Sequence, residues 1–244
     1  MKDESQQLIT EGSIVVLGNF NPAIFHPEWF RSYKIIAEQE IAAAETPITL
    51  EYPSGVRIKE HHLLVSPQET SLIFQSFHLD VTPERYQAII RPGYDLLPVK
   101  ETTIKIFQYL SHTPVKSVGI NFNAYWKMDD DSKTFLNRLF SLQSGKISVL
   151  GDEYLVEGRF KFNRNNAEVT FRVERSPLQS DGIYLDFNFH REIPDHRTET
   201  LVELIRSSFD TDRETAKEIA TGILGDPERV IISGEKSNEH GDNK

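Results

Sequence analysis

The stretch NFHREIPDHR places His190, Glu192, Asp195 and His196 within seven residues. Two imidazoles and two carboxylates are side chains that zinc, iron or manganese accept, so a metal-assisted hydrolase is one reading of this segment. The same residues also have a structural use. A strand ending near His190 and a helix starting near Thr198 would straddle the segment. Asp195 or Thr198 would then cap the helix, with Glu199 in its first turn. The capping reading is preferred, and no metal or other cofactor is assigned. In EHH, Glu60, His61 and His62 are adjacent, and adjacent strand residues point to opposite faces and cannot share one ion. MDDDS carries three consecutive carboxylates that could attract a divalent cation. A helix N-terminus favours acidic residues just as well, and Lys127 stands beside them, so a solvated first turn is preferred.

A different constellation comes from alternation. In SVGINFNAYWKM, residues 117–128, Val118, Ile120, Phe122, Ala124 and Trp126 share one side, while Asn121, Asn123, Tyr125 and Lys127 share the other. That is the pattern of a half-buried strand. Three later segments repeat it. EYLVEGRFKFNR sets Phe160 and Phe162 against Arg159 and Lys161; AEVTFRVER sets Val169, Phe171 and Val173 against Thr170, Arg172 and Glu174. GIYLDFNFHR sets Ile183, Leu185, Phe187 and Phe189 against Tyr184, Asp186, Asn188 and His190. If these strands pair, their polar side chains form one surface rich in donors and acceptors. Asparagine is a poor strand former, so two at alternate positions need a reason: water, or a bound partner. The candidate binding face is therefore Asn121, Asn123 and Tyr125, with Arg159, Lys161, Arg172, Asp186, Asn188 and His190.

Composition narrows the partner. Against 27 Lys and Arg stand 37 Asp and Glu, a formal net charge of -10. Such a surface repels phosphate backbones and anionic membranes, and no basic stripe interleaves the aromatic residues. There is no cysteine, which excludes disulfides, thiolate metal sites and a cysteine nucleophile and fits a reducing cytosol. No signal-peptide core or membrane-length apolar run is present, so a soluble cytoplasmic protein is expected. A Gly-rich phosphate loop, HExxH and GxSxG are all missing from the sequence.

The remaining elements follow from period and punctuation. A short strand at 14–17 closes at Gly18. A helix then opens at Pro27 and Glu28 and runs through Ile35, Ile36 and Ile41 to about Ala44, where Pro47 stops it. ITLEYP and VRIKEHHLLV read as strands. FQSFHLDV and RYQAII form a hairpin about Thr82-Pro83-Glu84, with Phe77, Leu79 and Val81 inward and Ser76, His78 and Asp80 outward; the alternative starts a helix at Thr82. Residues 98–112 have helical spacing, and this helix is expected to cover Phe122 and Trp126. MDDDSKTFLNRLFSL is helical again. Asn165-Asn166 marks a tight turn, and two helices, 198–209 and 212–224, close the chain. The prediction is α+β, a largely antiparallel sheet with helices packed on one face and the other face open. It is one domain over 12–232, or two similar-sized subdomains split near residue 145, with tails at 1–11 and 233–244.

Three blocks, VVLGNFNPAIFHPEWF, LDVTPERYQ and LSHTPVKSVGINFNAYW, give the chain a resemblance. It resembles a family of uncharacterised, sporadically distributed bacterial proteins with a GxFNPxxFxPxW block and a central HTPV…GIN block. The resemblance covers about residues 13–128 and transfers no catalytic residue. It implies an accessory role of the kind found in antiviral defence or toxin-neutralising systems. The expectation is a non-catalytic interaction protein, binding a protein partner or its own copies through the polar strand face.

Overall fold

The computed structural model describes residues 11–51, 57–60, 62–127, 131–140, 156–176 and 182–224. The sequence N-terminal to the long central strand supplies β1 (Glu11–Gly18), a 3-10 turn (Pro22–Ile24), α1 (Pro27–Ser32) and α2 (Glu38–Glu45). A small hairpin, β2 (Ile48–Glu51) and β3 (Arg57–Glu60), stands apart from the main sheet. Then come β4 (Leu63–Val65), β5 (Thr70–Ile73), β6 (Phe77–Val81), β7 (Arg85–Ile90) and α3 (Leu97–Tyr109). The central strand is β8 (Val115–Lys127), and α4 (Ser132–Leu139), β9 (Glu157–Arg164), β10 (Ala167–Arg175), β11 (Gly182–Glu192) and α5 (Thr198–Leu224) complete the order.

Nine strands join in one sheet, β4-β5-β6-β7-β1-β8-β11-β10-β9, every pairing antiparallel. The fold is α+β. Strands from both sides of residue 145 meet in this sheet, because β8 pairs with β11 along its length. Alternation decides the two faces. Val118, Ile120, Phe122 and Ala124 of β8, and Ile183, Leu185, Phe187 and Phe189 of β11, are all buried beneath the helices. Burying a single such phenylalanine stabilises a fold by about 1.5–3 kcal/mol, so the apolar faces fix the register.

The helix above β8 is not the expected one. Phe122 packs edge-on against Phe209 of α5 at 5.7 Å and against Phe189 at 5.9 Å. α3 instead covers β7 and β1, where Tyr86 meets Phe107 at 5.1 Å and bonds Thr103 at 3.0 Å. Helical period alone names an amphipathic helix but not the strands it lies on.

α5 is one 27-residue helix rather than two. The run FDTDRE resembles a break followed by an N-cap, yet Asp212 is fully buried in mid-helix. Its carboxylate receives both terminal nitrogens of Arg191 at 2.7 Å, and Arg191 is itself only 5% exposed. The helix expected across 28–44 is two, α1 and α2, with Lys34 in the left-handed region at φ 50° between them. The hairpin β6–β7 forms about 82–84 as expected, which disposes of the helix alternative, although Ser76 is buried rather than outward. Asn165 and Asn166 both have positive φ, 54° and 55°, which matches a type I′ turn between β9 and β10. Phe160 of the edge strand β9 is 45% exposed, because a sheet edge buries less than its centre. Among the described residues no helix is long and apolar enough to cross a membrane. Of the expected tails at 1–11 and 233–244, Glu11 opens β1, and the rest, together with His61 and residues 128–130, lies outside the described residues.

Candidate functional site on the open sheet face

The antiparallel register brings the outward side chains into rows that cross the sheet. One row runs Ser13, Asn121, Asn188, Thr170 and Lys161. The next runs Asn123, Asp186, Arg172 and Arg159, and the one beyond pairs Tyr125 with Tyr184 and Glu174. All nine sequence-predicted face residues thus lie on one surface. Among the described residues, no helix packs against this side of β8 and β11.

The asparagines are tied together. Asn188 Nδ2 donates to Asn121 Oδ1 at 2.6 Å, and Asn121 Nδ2 donates to Ser13 Oγ at 3.0 Å. Asn123 Nδ2 donates to Asp186 Oδ1 at 3.1 Å and also to the Tyr184 hydroxyl. A side-chain amide has two donors and an acceptor, so it can bridge neighbouring strands where a threonine cannot. That is the reason for asparagine in a strand.

Arg172 organises the row next to it. Its guanidinium lies 3.4 Å from Asp186, 3.6 Å from Glu174 and 5.6 Å from the centre of the Tyr184 ring, which meets the Tyr125 ring at 4.8 Å, tilted by 40°. Burial pushes the Asp186 carboxyl above its usual range, against the pull of Arg172. Burial also raises Glu174, and its neighbour Glu157 adds to the rise despite Arg172. The Tyr184 hydroxyl moves up as well, through burial and the nearby Asp186. Arg159 and Lys161 stand at the exposed edge, where Lys161 reaches Glu168 at 3.1 Å.

A recess opens beside this network. The row Gln87, Val15, Gly119, His190 has no side chain at its centre, and the row next to it runs Arg85, Leu17, Ser117. Together with Asn121 and Asn188 these residues enclose about 340 Å³. A Cβ at Gly119 would sit 3.2 Å from Asn188 Nδ2, so the glycine leaves room for both the amide and the hollow. Ser117 is only 3% exposed and lines the recess.

His190 and Glu192 meet on this face at 2.9 Å, but the rest of the segment disperses. Asp195 accepts from the Thr200 hydroxyl at 2.6 Å and from the Arg197 N–H at 3.2 Å, which holds its carboxyl below the usual range. His196, with φ 56°, turns its Nδ1 to the Val115 carbonyl at 3.0 Å. Asp131 caps α4 through the Thr134 N–H at 2.9 Å. Among the described residues, no group of three or more His, Asp or Glu side chains could hold a metal ion. No hydrogen bond joins Ser117 to His190, so the pair is not an assembled nucleophile and base.

Val15, Leu17, Arg85, Gln87, Ser117 and Gly119 escape a reading of the sequence, because strand order decides that they meet. One signal was present: a lone glycine on the outward side of an otherwise regular strand marks a gap or a close approach. No protein-family model matches the chain, and no curated protein matches it. The residue roles therefore rest on geometry.

Proposed function

We propose that the chain is a bacterial cytosolic, non-catalytic interaction protein that binds a protein partner across the open face of its sheet. The observation that carries this reading is the hydrogen-bonded ladder from Ser13 through Asn121 to Asn188, continued by Asn123, Asp186 and Arg172. Side chains already held in place lose little freedom on binding, so a fixed polar face favours association over a mobile one. The tilted ring pair of Tyr125 and Tyr184 adds aromatic area beside Arg172, the residue types that concentrate binding energy at interfaces. The resemblance to sporadically distributed bacterial proteins suggests a toxin or another defence component as the partner.

The test is capture from the host lysate with wild type and with the double variant Tyr125→Ala/Arg159→Glu, followed by light scattering of each eluate. The reading predicts a stoichiometric partner, or a self-assembly, that the double variant loses while its melting temperature moves by only a few degrees. A wild type that stays monomeric and captures nothing contradicts it.

A further inference from the structure

We infer that the recess at Gly119 is a binding site for a short aliphatic monocarboxylate. This goes beyond the partner-binding role of the sheet face and does not depend on it. The hollow is a built feature: the missing side chain at Gly119 opens it, and a Cβ there would press on Asn188 Nδ2 at 3.2 Å. Its floor carries Ser117, a residue only 3% exposed that lines the hollow. A serine hydroxyl can both donate to and accept from a group that enters.

The walls state the chemistry. On one side, Arg85 presents its guanidinium, whose charge also reaches the Asp80 carboxylate, and Gln87 adds an amide. A guanidinium fork matches a carboxylate through two parallel bonds. Val15 and Leu17 supply an apolar wall, with Leu17 41% exposed toward the hollow's mouth, so an alkyl chain has a surface to cover. A single cation within a chain of net charge -10 favours one negative charge over two, which disfavours phosphate. The volume, about 340 Å³, lies at the small end of ligand pockets, so the chain is short.

Pentanoate titrated into isotope-labelled full-length protein, with pentanamide as its neutral isostere, tests the site by NMR. Saturable shifts centred on Val15, Leu17, Ser117 and Gly119, in about the millimolar range, are expected for pentanoate and not for pentanamide. Arg85 is exposed, so Arg85→Gln keeps the fold, and it should weaken binding about tenfold or more. Gly119→Ala should abolish binding if its spectrum otherwise overlays that of wild type. Equal response to acid and amide, shifts scattered away from the recess, or undiminished binding by Arg85→Gln overturns the assignment. None of these outcomes depends on whether a protein partner binds the face.

Discussion

Asn121 stands between Ser13 and Asn188, accepting from one and donating to the other. Asn121→Thr raises strand propensity but strands both neighbours, and a part-buried hydrogen bond contributes about 0.5–1.5 kcal/mol. Urea denaturation should therefore show a loss of about 1–2 kcal/mol, where a merely wet position would show none. Asp186 makes a prediction in pH. Its carboxyl is raised in the folded state, so its contribution to stability is present in full below the ordinary carboxylate range and is lost as pH rises through the raised value. Wild type should thus gain stability relative to Asp186→Asn as pH is lowered from neutrality toward the acid side. A difference between the two that does not change with pH counts against the burial argument.

Elements are held by fewer contacts than their length suggests. α5 crosses β8 and β11 because Phe209 lies on Phe122 and because Asp212 grips Arg191, which also donates to the Asn165 carbonyl at 3.1 Å. Arg191→Ala should cost about 3–5 kcal/mol, since it leaves a buried carboxylate alone, and Arg191→Met/Asp212→Leu should recover most of that. Thermal or urea unfolding of the three proteins decides it. Phe122→Ala should likewise cost about 3–5 kcal/mol through the cavity it opens. The strands were legible because a period of two survives in the sequence, and the Asn165-Asn166 turn was legible because few residues accept positive φ. The unity of α5 was not. Nothing local in FDTDRE announces that an arginine some twenty positions upstream will neutralise the aspartate.

At the scale of the molecule, strand order is what turned a list of polar residues into a surface. β8 lies between β1 and β11, so Asn121 meets partners more than sixty residues away on both sides. Alternation showed which residues share the outward side of each strand. It could not show that Arg85, Leu17 and Ser117 share one row, because that depends on β7, β1 and β8 being neighbours. The four-residue His190–His196 grouping failed for the converse reason: nearness in sequence does not survive a strand end and a left-handed turn. What results is a sheet with one face given to helices and the other bearing a preformed polar network. The most direct measurement places a photoreactive phenylalanine at Tyr125 on the open face or at the exposed Arg206 on α5, and compares crosslinking to the captured partner. The account predicts a strong crosslink from position 125 and none from position 206. A partner that crosslinks only from position 206 would place the interface on the helical side and contradict it.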